Sequence, residues 1–277
     1  MSAGNSAEGT KGFYIKKEKL IMKALTKRVA ALTMALAMVL TGFFAITNTA
    51  DAANNTTLTT SAQVADLVWD GYNQGVDGPI SIIQGTLKSG WSSNKVYLVT
   101  LSGTEDVKGQ STGYLTDLLS GFNLKSAYYD NVVAVISENI PANSNIILAG
   151  HSLGGMIAQQ VAANSTIKAN YNILNTVCFG SPLLSAGSRE GTVKRLGDTS
   201  DVVPYLSGSM FNNTIWAVAG LNRENGGYGW SAVDAHCESY LRDDVWGAYD
   251  VTGAKNGGAK LTLNLDSRVF FQSEAWV

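Results

Sequence analysis

The sequence predicts an α/β fold: one mostly parallel central sheet flanked by helices, in a single domain. Three observations carry that expectation. Apolar runs such as Asn145–Ile–Ile–Leu–Ala149 and Ile173–Leu–Asn–Thr–Val–Cys–Phe–Gly180 lack the polar alternation of a half-exposed strand, as strands buried on both faces do. These runs alternate along the chain with segments of helical period, the pattern of a sheet wound with helices on both sides. The 277 residues are 45% hydrophobic and 15% charged, enough for one large core.

Taken in order, residues 61–75 have helical character, and residues 81–104 read as two strands around the turn Gly90–Trp91–Ser92–Ser93. Helical patterns follow at 112–123 and 126–139, then the strand Asn145–Ala149 and a helix over Met156–Ala163. The run from Ile173 to Gly180 is the next strand, and Thr192–Gly197 another. The segment 237–249 reads as a helix, and the tail from Asp250 to Gln272 as a β-hairpin closing a sheet edge. No internal repeat, low-complexity stretch or linker interrupts the series.

The chain's start has a different grammar. Seven basic residues crowd 11–28, an uncharged apolar run extends from Val29 to Ile46, and Ala50–Asp51–Ala52 supplies an A-x-A site. Basic, apolar and small in that order is a secretory signal peptide, so residues 1–52 are expected to be removed and 53–277 to form the folded, exported domain. The competing reading is a retained membrane anchor, because 18 uncharged residues are nearly long enough to span a bilayer. Met22 also opens a signal of more ordinary length.

Residues 1–52 hold seven of the 20 basic and three of the 22 acidic residues, which leaves 13 against 19 and a formal charge of −6. The remaining basic residues are scattered, so nucleic acid is not an expected partner. Cys178 and Cys237 permit one disulfide in an exported chain, but Cys178 sits within an apolar run and reads equally as a buried core residue. With two cysteines and two histidines, a structural metal is not expected, nor is any cofactor.

The informative stretch is Gly150–His151–Ser152–Leu153–Gly154. A bare G-x-S-x-G is a weak signal, and context decides it. Here a strand precedes the motif and a helix follows. A chain that turns so abruptly puts the apical residue in a strained conformation, and Gly150 and Gly154 omit the Cβ atoms that would keep strand and helix apart. Such an elbow holds a serine hydroxyl out at the carboxyl end of the sheet.

A serine hydroxyl needs a base, and the base needs an orienting acid. His151 lies beside the serine and is expected to point away as a structural ring, which leaves His236 as base. The acid should lie between Ser152 and His236. Arg195–Leu–Gly–Asp198–Thr–Ser–Asp201–Val–Val–Pro204 offers Asp201 first and Asp198 second, while Glu190, Glu224 and Asp234 are outsiders.

These residues resemble the class 3 lipases of the α/β-hydrolase superfamily. The matching pieces are the elbow GHSLGG with its preceding strand, VCFGSP at 177–182, DVVP at 201–204, AHCESYL at 235–241, and YLVTLSGTEDV with the later TDLLSGF, together spanning about residues 95–240. The resemblance implies Ser152 as nucleophile, Asp201 as acid, His236 as base, and the backbone N–H groups of Thr104 and Leu153 as an oxyanion hole. It departs at Ser102, where the family commonly has Arg. It implies hydrolysis of carboxylic esters, as a lipase or esterase on small-molecule or lipid esters with transient contact at a lipid interface. Other serine chemistry on the same fold, peptidase or acyl transfer, and a non-catalytic binding protein on a hydrolase scaffold are the alternative classes.

Residues 105–123 carry a further expectation. Tyr114, Leu115, Leu118, Leu119 and Phe122 would share one helix face, which suits either an ordinary helix packed on the sheet or, as in the lipases the chain resembles, a small lid hinged at 108–113.

The leader makes a direct prediction: the exported protein starts near Ala53. Intact-mass measurement of the secreted species checks it, and retention of residues 29–46 would instead identify an anchored protein.

Overall fold

A computed structural model describes residues 54–73, 76–103, 125–185, 187–206 and 220–273, all within the compact unit Ala52–Val277. The expected signal peptide at 1–52, Thr104, the helical pattern expected at 112–123 and the segment 105–123 lie outside the described residues.

Among the described residues the chain forms one sheet of eight strands: β1 Asn55–Leu58, β2 Ile80–Ser89, β3 Ser92–Leu101, β4 Asn145–His151, β5 Asn172–Phe179, β6 Thr192–Asp198, β7 Leu221–Glu224 and β8 Lys260–Phe271. Their order is β1-β8-β2-β3-β4-β5-β6-β7. From β3 to β7 every neighbouring pair is parallel; the β1, β8, β2 and β3 side is antiparallel. The helices are α1 Ser61–Trp69, α2 Lys125–Asn139, α3 Leu153–Val161, α4 Ser165–Asn170, α5 Ala232–Glu238 and α6 Asp243–Trp246.

Both faces of the sheet are covered, and β4 shows how. Ile147 and Ala149 point to one side, into a core with Val64 and Val68 of α1, Tyr240 and Trp246. Ile146 and Leu148 point to the other, among Val132 and Ile136 of α2, Met156 and Ile157 of α3 and Ile167 of α4. Period-two side-chain direction splits one continuous apolar run between two cores, so such a strand reads as uniformly hydrophobic. Helix α1 starts on a capping box in which Thr60 accepts from the Gln63 N–H and the Gln63 side chain answers at the cap backbone. The two cysteines are buried, Cys178 in β5 and Cys237 in α5.

Two expectations about the carboxyl-terminal part need correction. The tail is not an edge hairpin. It contributes one long strand, β8, inserted between β1 and β2, and before it the chain turns between Tyr249 and Lys255, which form an isolated antiparallel bridge. The Asp250 carboxylate organises that turn, accepting from the backbone N–H groups of Thr252, Ala254 and Ala259. The segment 237–249 is not one helix either. After α5 it tightens into a 3₁₀ turn at Ser239–Leu241, leaves helical geometry at Arg242 (φ −88°, ψ 115°) and restarts as α6. The short strands β1 and β7 give no periodic signal of their own in the sequence.

Close approach of α3 to the sheet is the tightest constraint in the fold. A Cβ on Gly150 would lie 2.5 Å from the Gly154 carbonyl carbon, and one on Gly154 would drive into the Leu101 carbonyl oxygen at the end of β3. Gly154→Ala therefore has no relaxed geometry and is expected to destabilise by about 2–4 kcal/mol, whereas Gly258→Ala, with open space at its Cβ, should stay within about 0.5 kcal/mol of the parent. Equilibrium denaturation of the two variants checks the contrast.

Candidate active site

Ser152 is the residue on which β4 becomes α3. Its backbone stands at φ 55°, ψ −121°, a left-handed conformation costly for a residue with a Cβ. Backbone bonds over-determine it: the Ser152 N–H donates to the Phe179 carbonyl at 2.9 Å, and its own carbonyl accepts from Met156 at 3.2 Å. A serine in the N-cap position ordinarily turns its hydroxyl onto the helix, but here it makes no capping bond. The elbow thus presents the side chain rather than spending it on the helix. Leu153, the first residue of α3, has one of the N–H groups that no carbonyl within the helix can satisfy.

Asp201 and His236 meet at the same end of the sheet. The His236 Nδ1–H donates to Asp201 Oδ2 at 2.8 Å, with both residues 1% exposed. That bond fixes the tautomer of the neutral ring and leaves the lone pair on Nε2. The Asp201 carboxylate accepts twice more: Oδ1 from the Val203 N–H at 2.9 Å and Oδ2 from the Tyr240 hydroxyl at 2.6 Å. Three donors offset the cost of burying its charge. Burial first, then the Asp201 charge, push the Tyr240 phenol well above its ordinary range, so Tyr240 remains a donor. At the elbow, the His151 ring lies 4.5 Å, centroid to centroid, from the His236 ring. A Cβ on Gly180, the residue after Phe179, would come within 2.9 Å of Asp201 Oδ2 and 3.0 Å of His236 Nδ1.

The two candidate acids are separated by their partners. Asp198, at the end of β6, is fully buried and accepts from the Ser200 N–H at 2.8 Å, the Gly226 N–H at 2.9 Å and the Ser239 hydroxyl at 2.6 Å. It faces the backbone and the turn that follows His236, so its work is to hold that turn. Glu224 is engaged by Lys255 and Tyr249, and Asp234 by the Ser231 hydroxyl. Arg195, buried in β6, donates to the carbonyls of Ser181 and Pro204, tying the Asp201 loop to the loop after β5. Desolvation lowers its guanidinium to about 10, still far above neutrality.

His151 packs as a hydrogen-bonded ring in a cluster with Trp69, Tyr72, His236 and Tyr240. Its Nε2 meets the His236 carbonyl at 2.9 Å and its Nδ1 the Tyr72 hydroxyl at 2.6 Å. A carbonyl only accepts, so Nε2 carries the proton and Nδ1 accepts from Tyr72. At Ser102, where the resemblance leads one to expect Arg, the serine hydroxyl donates to the Val68 carbonyl at 2.7 Å, and the Ser102 carbonyl accepts from Tyr128 at 3.0 Å. The loop leaving β3 is therefore supported without the arginine. Tyr72, Tyr128 and Tyr240 went unidentified in the sequence; only Tyr240, four residues beyond His236, had a spacing that hinted at a shared face. Among the described residues no group of three or more His, Cys, Asp or Glu side chains is placed to hold a metal, and no helix is long and apolar enough to cross a membrane.

Burial, with the neighbouring His236 second, holds His151 well below the ordinary value of 6.5. The folded protein thus refuses a proton that the unfolded chain accepts, so stability from this group is full above pH 6.5 and falls as pH drops below it. The chain has two histidines and carboxylates titrate lower. The Tm is accordingly expected to decline between about pH 6.5 and 5, and His151→Phe to flatten that decline. Thermal melts across that range check it. No protein-family model, curated protein or solved structure matches the chain.

Proposed function

We propose that the protein is an exported serine hydrolase of carboxylic esters, a lipase or esterase built on the α/β-hydrolase architecture and related to the class 3 lipases it resembles. The observation that carries the reading is the buried His236–Asp201 bond at 2.8 Å beside a serine held at φ 55° on a strand-to-helix elbow. Chain order adds support: nucleophile after β4, acid after β6, base after β7, each at the carboxyl end of a parallel run, where ligands of open α/β sheets bind.

In this reading His236 Nε2 takes the Ser152 proton as Oγ attacks the ester carbonyl, and Asp201 holds the imidazole and stabilises its charged form. The oxyanion forms against the Leu153 N–H, with the Thr104 N–H proposed as the second donor. His236 returns the proton to the departing alcohol, leaving an acyl-serine. Water, deprotonated by the same imidazole, then releases the acid. The steps require side chains and backbone amides of this chain.

Labelling by a fluorophosphonate probe, mapped to Ser152 by mass, tests the nucleophile. Turnover of p-nitrophenyl esters from short to long acyl chains, beside matching thioesters and amides, tests the reaction class. Ser152→Ala and His236→Ala are each expected to lower kcat by about four to six decades with the fold intact. Asp201→Asn should cost on the order of 10⁴ in kcat through the wrong tautomer. Asp198→Asn should chiefly lower the Tm, because Asp198 bonds the turn after His236 and not its ring. Near-normal ester turnover in the Ser152 or His236 variant, or a larger kcat loss for Asp198→Asn than for Asp201→Asn, would overturn the assignment.

A further inference from the structure

A single line of hydrogen bonds crosses the site from one wall to the other. The Gly103 N–H donates to the Tyr72 hydroxyl at 2.6 Å, the Tyr72 hydroxyl donates to His151 Nδ1 at 2.6 Å, and His151 Nε2–H donates to the His236 carbonyl at 2.9 Å. Every group in the line is used in the one sense its chemistry allows: the amide can only donate, the carbonyl only accept, and the hydroxyl and neutral imidazole do one of each.

The line runs between two backbone groups: Gly103 lies past the end of β3, and His236 is in the last turn of α5. Gly103 packs on the elbow so closely that a Cβ there would stand 2.8 Å from Ser152 Cβ. It also immediately precedes Thr104 in the chain. His151 is covalently next to Ser152. The line therefore joins the backbone that leads to the oxyanion residue, the nucleophile's neighbour and the backbone of the base. Trp69 packs over both linking rings, 4.8 Å from Tyr72 and 5.1 Å from His151, and limits their movement.

We propose that Tyr72 and His151 are positioning residues for the hydrolytic reaction, setting the Gly103 backbone and the His236 backbone in register with Ser152 through one shared line of hydrogen bonds. The inference rests on the serine hydrolase reading and assigns it two residues that touch no substrate. Positional errors of about 1 Å at such groups cost as much as 10²-fold in rate, without altering the affinity for the ground state.

The test uses the whole exported protein as wild type, Tyr72→Phe, His151→Phe and the double variant. It measures kcat and KM on a soluble p-nitrophenyl ester, inhibition by an alkylboronic acid that mimics the tetrahedral adduct, and Tm. Tyr72→Phe is expected to lower kcat about 10- to 100-fold with KM within about two-fold, and to weaken the boronate in proportion. The double variant should be no slower than the slower single variant, since either substitution breaks the same line. A Tyr72→Phe protein whose Tm falls while kcat and boronate affinity stay within about two-fold, measured well below its Tm, would overturn the proposal. So would rate losses that multiply in the double variant. If His151→Phe does not fold, the kcat, KM and boronate results for Tyr72→Phe decide. A wild-type protein that neither labels at Ser152 nor turns over an ester overturns the hydrolase reading, and the inference with it; a wild type that does both, beside an unaltered Tyr72→Phe, overturns the inference alone.

Discussion

The structure depends on the contact between the start of α3 and the ends of β3 and β4. Helix α3 can begin one residue after β4 only because Gly150 and Gly154 place bare Cα atoms where side chains would collide with the backbone of the other element. That approach forces Ser152 into the left-handed region, a cost of roughly 1–3 kcal/mol. The offset is local. Met156, Ile157 and Val161 on α3 are essentially fully buried, and each such side chain contributes about 1.5–3 kcal/mol. The strain that presents the hydroxyl is thus held by the same helix that creates it.

Around the elbow, the loop after β6 carries the acid and the last turn of α5 carries the base, and a buried polar network gives that backbone a fixed shape. Tyr240 is its centre: its hydroxyl accepts from the Asp198 N–H at 3.2 Å and donates to Asp201 at 2.6 Å, while its ring stacks on Trp246 at 5.6 Å. Ser239, one residue earlier, donates to the Asp198 side chain and accepts from Trp246 Nε1 at 3.3 Å. The 3₁₀ turn after α5 exists because these two hydroxyls must reach two carboxylates from adjacent positions. In a low-dielectric interior such a network is rigid when every member is satisfied and costly when one is removed. The two aspartates of the loop are in this sense one device with two jobs, the first holding the turn and the second facing the ring.

Much of the fold was legible, and the places where it was not share a cause. The strands β3, β4 and β5, the helix α3 and the elbow are local: their signals lie in runs of five to ten residues. The place of β8 is not legible in the sequence because its partners, β1 and β2, lie some 175 to 210 residues away along the chain. The helix over 237–249 was misjudged because propensity is a weak prior, and the Asp198 and Asp201 carboxylates bend the chain between Glu238 and Asp243.

The sequence by itself determined the class of fold, the elbow at Ser152 and a short set of groups able to serve it, because strand and helix periods, glycine spacing and the scarcity of histidine are properties of the chain alone. Tertiary structure decided which of two neighbouring aspartates faces the histidine, that Cys178 and Cys237 are buried, and that Tyr72, His151 and Tyr240 join the hydrogen bonds around that histidine. The physical reason is that hydrogen bonds select by distance and direction. Asp198 and Asp201 are three residues apart and chemically identical, and only the path of the loop after β6 puts one carboxylate against a backbone turn and the other 2.8 Å from an imidazole nitrogen.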